Sequence, residues 1–407
     1  MNLQKTFKRN WMRMVTVLLT LFAFSAVISG CSAHKMTRLW KVMSLFDEAH
    51  IVENFRSMPE MFPYHEIHRG EKVFEFETAL QGLPETFEYN GKTYRIEELL
   101  KNTWTTGLIL IKNDKILFEK YYRGNTRDTL NISWSVGKSF VSALVGIAIE
   151  EGYIKGVDIP VTDYAPELKG SGYDGVPLKH VLQMSSGVRF DEDYGAFFSD
   201  INRMGRVIAT GDSINEFAAS LEKEREPGTY HHYVSMDTQV LGMVLKNTTG
   251  KTPSQYLEEK IWKKIGMHSN AKWLVDDMDM ELVFGTLNAT LRDYARFGRL
   301  YANYGNWNGE QVVPKQWVID SITPDAPHLM PGENPLSNTT MGYGYQWWIP
   351  EKPEGDFMAL GVYDQYIYVN PAKQVVIVKN SAFPGWEIGG ETNAVVMAWF
   401  QHLAATL

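Results

Sequence analysis

The chain has 407 residues, of which 44% are hydrophobic, 13% aromatic and 22% charged, which is the composition of an ordered globular protein with one large or two ordinary domains. Its formal net charge of −8 argues against nucleic-acid binding. The sequence has no dinucleotide-binding glycine motif, no Walker loop and no H-E-x-x-H zinc motif, so we expect no cofactor.

The first 30 residues have the layout of a secretory signal. Four positive charges precede an uncharged, mostly apolar run of 16 residues, which is too short for a comfortable membrane span. The run ends in "VISGC", and Cys31 is the only cysteine of the chain. Small residues before a cysteine at this position resemble a bacterial lipobox, in which the cysteine becomes the lipidated first residue of the mature chain.

We therefore expect residues 1–30 to be a lipoprotein signal peptide and Cys31 to carry a lipid anchor. The alternatives are a plain signal peptide and an N-terminal anchor helix with an incidental cysteine. Removal of residues 1–30 would leave a net charge of −12, so the acyl chains would have to supply the anchoring without electrostatic help from anionic lipid. The expected location is the periplasmic or cell-surface side of a bacterial membrane.

Residues 31–124 are predicted to contain an N-terminal lead-in segment followed by a β-hairpin. Residues 31–100 are irregular in pattern, and we interpret them as a segment that wraps the following domain at 101–405. Residues 105–124 then form two β-rich runs around Asn113 and Asp114, which predicts a hairpin.

Helices dominate the middle of the chain. The segment that begins "SWSVGKSF" is apolar over most of a helical surface and is therefore predicted to be buried. A second helix, "MDTQVLGMVLKNTTG", ends at Gly250 as a C-cap, and "ATLRDYARFGRLYANYG" is a third. From residue 342 the pattern turns to strands, followed by a terminal helix. This order predicts an α+β fold, in which an antiparallel sheet from both chain ends is flanked by helices and accompanied by a mostly helical subdomain.

Ser135 lies three residues before Lys138 in "NISWSVGKSF". Four Ser-x-x-Lys matches occur in the chain, and the other three begin at Ser32, Ser220 and Ser269, so the spacing alone is weak. Only Ser135 opens a buried helix, where residues i and i+3 share a face and the lysine amine can reach the serine oxygen. Desolvation can lower the pKa of such a lysine, allowing it to accept the serine proton. The alternative is an N-cap serine beside an ordinary surface lysine.

Tyr233 and Ser235 lie between a Pro-Gly turn and the start of the second helix. A tyrosine in contact with a lysine ammonium can have a lowered pKa and act as a proton shuttle. The alternative is a packed aromatic side chain at a loop–helix junction.

Together these motifs resemble the serine β-lactamase and penicillin-binding-protein superfamily, most closely its class C-like branch with esterases and 6-aminohexanoate-dimer hydrolases. The likeness covers roughly 105–405. It implies a β-lactamase/transpeptidase-like fold in which Ser135 is the acylated nucleophile and Lys138 its activating base. It also implies that Tyr233 relays the proton to the leaving group and that Ser235 positions the lysine and substrate. The oxyanion hole would combine the Ser135 N–H with one from a facing edge strand.

The third motif of that superfamily, Lys-Thr-Gly or His-x-Gly, is altered in this chain. The best match is Ala359-Leu360-Gly361, which lacks the cation that binds the drug carboxylate in penicillin-active members. A neutral strand fits an ester or a simple amide better. We predict that Gly361, Tyr363 and Gln365 belong to the substrate-binding site.

Two further features have alternative interpretations. The acidic stretch "DEDY" at 191–194, with Asp200, recognises a substrate amine or is simply a solvated loop. His231 and His232 are adjacent, so their side chains diverge, and no third ligand is evident. We therefore expect no metal.

The predicted function is a serine hydrolase that cleaves small esters or amides through an acyl-enzyme. The alternatives are a β-lactamase or D-alanyl-D-alanine carboxypeptidase, and a catalytically silent binding lipoprotein of the same fold. The expected partners are a small-molecule substrate and, through Cys31, a membrane, with no nucleic acid.

Overall fold

A computed structural model describes residue 42, residues 44–386 and residues 390–407. The predicted signal peptide at 1–30 and the predicted lipid anchor at Cys31 lie outside the described residues. Within the described ranges, no helix is long and apolar enough to cross a membrane.

The helices and strands follow one another along most of the described chain. The helices are α1 (Ile51–Arg56), α2 (Met58–Met61), α3 (Ile96–Asn102), α4 (Gly137–Glu150), α5 (Leu178–Leu182), α6 (Asp200–Thr210), α7 (Ile214–Ala219), α8 (Ser235–Thr249), α9 (Pro253–Leu257), α10 (Leu291–Ala302), α11 (Lys315–Ser321) and α12 (Glu391–Thr406). The strands are β1 (Tyr64–Ile67), β2 (Glu77–Thr78), β3 (Thr86–Tyr89), β4 (Lys92–Arg95), β5 (Thr105–Lys112), β6 (Lys115–Tyr121), β7 (Asn131–Ile132), β8 (Ala271–Leu274), β9 (Leu287–Ala289), β10 (Asn306–Trp307), β11 (Glu310–Gln311), β12 (Gly342–Tyr343), β13 (Trp348–Ile349), β14 (Phe357–Gly361), β15 (Gln365–Asn370) and β16 (Val375–Ser381).

An eight-stranded sheet has the order β12-β13-β14-β15-β16-β5-β6-β2. Its neighbouring strands are antiparallel, except for the edge pair of β2 and β6, which is parallel. Because β5 and β6 come from early in the chain and β12 to β16 from its end, the predicted sheet from both parts of the chain is confirmed. The predicted hairpin is confirmed as well: Asn113 and Asp114 have φ angles of 48° and 62° and join β5 to β6 in a two-residue turn.

Helices cover both faces of this sheet. Side chains of a strand alternate between its two faces, so Ile109 and Ile111 of β5 belong to one core, which includes residues of α10. Leu108 and Leu110 point to the opposite face and belong to a second core with Trp399 of α12. This two-sided burial explains why β5 is apolar at consecutive positions rather than at alternate ones.

The helical part of the fold supplies the frame around Ser135. The predicted buried helix is α4, in which residues 137–148 are all buried. It packs against α8, the second predicted helix, which ends as expected at Gly250 with a left-handed φ of 67°. The two helices bring the two sequence motifs, which lie far apart in the chain, into contact.

The segment before the first motif is more regular than expected. Strand β1 pairs with β8 and completes a four-stranded sheet with β9 and β7, and β3 pairs with β4 in a hairpin. The expectation of an irregular segment was wrong because these strands have at most four residues each, too few for a periodic pattern to emerge.

Candidate active site

The turn that carries Ser135 lies between β7 and α4. A single 3₁₀ turn, Trp134–Val136, precedes the helix, and the Ser133 N–H anchors it by donating to the Leu287 carbonyl of β9 at 2.7 Å. Trp134 has a φ of 44°, a conformation that a bulky residue rarely adopts. Its ring packs on Phe55 with centroids 5.1 Å apart, which helps to hold this strained turn in place.

Lys138 is buried beside the serine. The residue is only 2% exposed, and its Nζ lies 3.1 Å from Ser135 Oγ and 3.5 Å from Ser235 Oγ. It also donates a hydrogen bond to the Phe284 carbonyl. Burial lowers the pKa of Lys138 to about 7, while the negative charge of Glu192 partly opposes that shift. A neutral amine is therefore accessible near pH 7, within reach of the serine proton.

Tyr233 is a buried phenol next to the serine. Its ring stacks on Trp348 with centroids 5.5 Å apart, and its hydroxyl shares a hydrogen bond with the Ser135 side chain. Burial and the charge of Glu192 raise the pKa of Tyr233 well above its usual value. The expectation of a lowered pKa was wrong, because Lys138 Nζ faces the ring, 5.4 Å from its centroid, and desolvation dominates. Tyr233 is therefore a protonated phenol at neutral pH.

Ser235 begins α8 and is tied to a carboxylate on a distant loop. Its hydroxyl donates to Glu192 Oε1 at 2.6 Å, and its backbone N–H donates to Glu192 Oε2 at 3.1 Å. The Tyr194 hydroxyl donates to Glu192 Oε1 at 3.0 Å. Burial raises the pKa of Glu192, and the charge of Lys138 and these hydrogen bonds oppose that shift.

A cleft of about 1050 Å³ opens above these groups, with Ser135 and Tyr233 in its wall. Glu192, Asp193 and Glu333 also line it, and no lysine or arginine does among the described residues. Of the acidic stretch, Glu192, Asp193 and Tyr194 line the cleft, whereas Asp191 and Asp200 are not among its lining residues. The Asp200 carboxylate is instead paired with Arg203 at 2.6 Å.

The altered third motif lies on β14, against the turn that carries Ser135. A Cβ atom at Gly361 would lie 3.1 Å from the Ser135 nitrogen and 2.9 Å from the Ser133 carbonyl oxygen, so only glycine fits there without a shift. Gly361 therefore sets the distance between β14 and the backbone N–H of Ser135. Its neighbours Leu360 and Val362 line the cleft.

The structure separates the two other predicted substrate-binding residues. Tyr363 lines the cleft and stacks on Phe46 with centroids 5.3 Å apart. Gln365 is 2% exposed, and its side-chain amide is hydrogen-bonded to the backbone of Ser381 rather than directed into the cleft. Gln365 Nε2 donates to the Ser381 carbonyl at 2.5 Å, and the Ser381 N–H donates to Gln365 Oε1 at 3.2 Å. Residues two apart on a strand share a face, but Tyr363 and Asp364 form a turn with φ angles of 61° and 75°, which breaks that alternation.

The two adjacent histidines have structural partners. His231 is 1% exposed, burial lowers its pKa to about 3, and its Nδ1 is hydrogen-bonded with Ser337 Oγ at 3.2 Å. His232 Nε2 is hydrogen-bonded with the Phe190 carbonyl at 2.8 Å. In the described part of the chain, no group of three or more His, Cys, Asp or Glu side chains is arranged to hold a metal ion.

Residues 95–395 match the family model named Beta-lactamase. The chain belongs to the β-lactamase family. This β-lactamase-family hydrolase is 30% identical over 297 residues to a 6-aminohexanoate-dimer hydrolase from Paenarthrobacter ureafaciens. That match covers 71% of this chain and 75% of the relative.

Solved structures share the fold of the hydrolase. A Bacillus anthracis protein, provisionally assigned as a 6-aminohexanoate-dimer hydrolase, superposes with a TM-score of 0.80 at 24% identity, over 88% of this chain and 95% of that one. A family VIII carboxylesterase superposes with a TM-score of 0.54 at 16% identity, over 72% and 91% of the two chains. The predicted superfamily and fold are confirmed.

Sequence reasoning missed three groups of the site of this hydrolase. The Phe284 carbonyl is a backbone atom, so no residue type signals it. Trp348 stacks on Tyr233 from β13, which no motif connects to the tyrosine. Glu192 had one signal, the acidic stretch around it, but its contact with Ser235 depends on how a loop folds onto α8.

Proposed function

We propose that this hydrolase cleaves small esters or amides through an acyl-enzyme on Ser135. The observation that carries the proposal is the buried Lys138 amine 3.1 Å from Ser135 Oγ, at the wall of a cleft. With its pKa lowered to about 7, the neutral amine takes the serine proton as Oγ attacks the substrate carbonyl carbon. The π electrons of the carbonyl move onto its oxygen, which becomes an oxyanion.

The oxyanion is stabilised by backbone N–H groups. One is the N–H of Ser135, at the start of the turn into α4, and the second comes from the end of β14. Gly361 supports this arrangement because its missing side chain lets β14 lie against the Ser135 nitrogen. Beyond Met358, β14 has no register partner on β13, so its N–H groups on that side are not used by the pairing of these two strands.

Tyr233 moves the proton to the leaving group. Its phenol donates to the departing alkoxide oxygen or amine nitrogen as the carbonyl re-forms and the bond to the leaving group breaks. Lys138 returns the proton to Tyr233, so the charges balance and the acyl group remains on Ser135. A water molecule then attacks the acyl carbon, gives its proton to the same relay and releases the acid, which restores the Ser135 hydroxyl.

The charge of the cleft supports neutral or amine-bearing substrates. Three carboxylates line it with no lysine or arginine among the described lining residues, so a substrate carboxylate at this surface would meet like charge. Penicillins and D-alanyl peptides carry such a carboxylate. The names of two similar proteins fit an ester or amide substrate, since one is a 6-aminohexanoate-dimer hydrolase and one is a family VIII carboxylesterase.

The test is a substrate panel of p-nitrophenyl esters, linear amide oligomers and nitrocefin. We expect turnover of esters or amides, with nitrocefin the poorest substrate, and loss of turnover in Ser135→Ala. Ser220→Ala is the matched control, because Ser220 also begins a Ser-x-x-Lys match but its hydroxyl is bound to the Phe217 carbonyl. If nitrocefin is the best substrate, the argument from charge is wrong; if folded protein turns over nothing, the function is wrong.

We also propose that the mature protein begins at a lipidated Cys31 on the outer side of a bacterial membrane. The support is the short apolar run after four positive charges and the single cysteine at its end. Expressed in a bacterium, the protein should fractionate with membranes, and Cys31→Ala should remain unlabelled by a palmitate analogue. Labelling of Cys31→Ala would contradict the anchor.

A further inference from the structure

Glu192 is a carboxylate in direct contact with Ser235, and it has no assigned role in the mechanism above. It accepts three hydrogen bonds, from the Ser235 hydroxyl, the Ser235 backbone N–H and the Tyr194 hydroxyl. An ionised carboxylate can only accept hydrogen bonds, and Glu192 accepts from all three of these donors without donating to any of them. It also replaces a missing cap, because the N-cap residue of α8, Val234, has no side chain that can accept from the first N–H groups.

The hydrogen bond to Glu192 fixes the direction of the Ser235 hydroxyl. A hydroxyl has one proton, and Ser235 gives it to Glu192 at 2.6 Å. Toward Lys138, 3.5 Å away, Ser235 Oγ can therefore only accept. Glu192 thus prevents Ser235 from donating to the lysine nitrogen.

The surroundings of Lys138 give this direction a chemical consequence. A neutral amine has two N–H donors and one lone pair. The Phe284 carbonyl can only accept, and Ser235 is restricted to accepting, so these two oxygens take the two N–H groups. The lone pair then has one partner left, the Ser135 hydroxyl at 3.1 Å. That is the pairing that proton removal from Ser135 needs.

We propose that Glu192 is a positioning residue that acts through Ser235 to keep the lone pair of Lys138 directed at Ser135. The role rests on the proposed function, because it matters only if Lys138 removes the serine proton. Without the carboxylate, the Ser235 hydroxyl is free to donate to the lysine lone pair and compete with Ser135.

The same carboxylate affects the pH at which the lysine becomes neutral. The charged and titratable groups around Lys138 are Glu192 on the cleft loop, Asp237 on α8 and the phenol of Tyr233, with Tyr194 behind Glu192. Glu192 and Asp237 both raise the pKa of Lys138 against the lowering by burial. Of the two carboxylates, Glu192 has the larger effect on the pKa of Lys138. Its removal should lower the pKa of Lys138.

The experiment follows the burst of p-nitrophenol when p-nitrophenyl acetate acylates the protein. Glu192→Gln should slow acylation at least tenfold with KM changed less than threefold, and the midpoint of its pH profile should move to lower pH by roughly one unit. Glu222→Gln is the control and should acylate at the parental rate and with the parental midpoint. Glu222 forms an exposed ion pair with Arg189, which lies just before the loop that carries Glu192. A parental rate and midpoint in Glu192→Gln would overturn the role.

The route through Ser235 is tested by combining Glu192→Gln with Ser235→Ala. Removal of the competing hydroxyl should leave the double variant no slower than Glu192→Gln alone. A purely structural role would instead multiply the two losses, which would overturn the proposal. If Glu192→Gln fails to fold, Glu192→Asp takes its place: its shortened carboxylate should slow acylation without moving the midpoint, and a parental rate would overturn the role. A folded parent that releases no p-nitrophenol, either in a burst or at steady state, would refute the proposed function itself.

Discussion

Two buried lysines in this protein, Lys138 on α4 and Lys379 on β16, show how the contact partner decides what a buried amine does. The two residues are 2% and 0% exposed, and burial lowers the pKa of both. Lys379 forms an ion pair with the carboxylate of Asp364, which also accepts from the Tyr366 hydroxyl at 2.7 Å. Among the described residues, the hydrogen-bond partners of the Lys138 amine are uncharged oxygens, those of two serines and one backbone carbonyl.

The difference separates a structural site from a chemical one. The Asp364 carboxylate favours the charged form of Lys379 and opposes the effect of burial. In the part of the chain that the structure describes, no carboxylate forms an ion pair with Lys138, and Glu192 acts on it from behind Ser235. The desolvation of the Lys138 amine is therefore less fully compensated. A buried lysine without a carboxylate in contact is the arrangement that leaves a base available near neutral pH.

The largest expected effect is the loss of the base. Lys138→Met should slow acylation of Ser135 by about 10³-fold, because the serine then has no amine to take its proton. The rate of the p-nitrophenol burst measures this, with circular dichroism to show that the fold is retained. Lys379→Met, measured per folded molecule, should keep the parental rate within about threefold; an equal loss in both variants would break the comparison.

The second effect is a loss of folding stability when Lys379 is replaced. Lys379→Met leaves the buried Asp364 carboxylate without its cation, which should lower the free energy of unfolding by about 3–5 kcal/mol. Urea unfolding measures the change. The matched variant combines Lys379→Met with Asp364→Asn, which removes the orphaned charge and should recover part of the loss. Parental stability of Lys379→Met would show that the ion pair does not hold the sheet together.

The third effect concerns pH. Below a pKa of about 7 the Lys138 amine is protonated and cannot accept the serine proton, so acylation should rise with pH and level off above about 7. The measurement is the burst rate between pH 5 and 9, roughly, where the acid limb should follow a single proton. A limb that stays flat across this range would show that Lys138 is not the titrating base.

The smallest effect tests the spacing of β14. Gly361→Ala adds a Cβ that must displace either β14 or the turn at Ser135, so acylation should slow by about tenfold as the oxyanion contacts lengthen. Gly205→Ala is the control, because a Cβ there, within α6, meets nothing within 4 Å. Parental acylation in Gly361→Ala would remove β14 from the proposed oxyanion hole.

Features that depend on neighbours in the sequence were predictable. The hairpin turn at Asn113 and Asp114, the C-cap at Gly250 and the buried helix α4 each follow from a local pattern. The nucleophile motif and the tyrosine motif were also placed together, because their order in the chain matches a known family. These signals specify the fold and the serine-lysine pair.

Features that depend on contacts between distant segments were not predictable. The contact of Glu192 with Ser235 joins a loop to a helix start, and the Phe284 carbonyl has no side-chain signal. The direction of the Tyr233 pKa shift depends on how deeply the ring is buried, and the place of Gln365 depends on a turn with positive φ angles. Each is set by tertiary packing, which a residue pattern does not contain.

The most direct measurement is the site of a covalent adduct. The protein is incubated with a fluorophosphonate probe at pH 8, digested and analysed by mass spectrometry, with Ser135→Ala and Ser220→Ala in parallel. An adduct on Ser135 that is lost in Ser135→Ala and retained in Ser220→Ala is the predicted result. An adduct on another residue, or none on folded protein, would contradict the acyl-enzyme account.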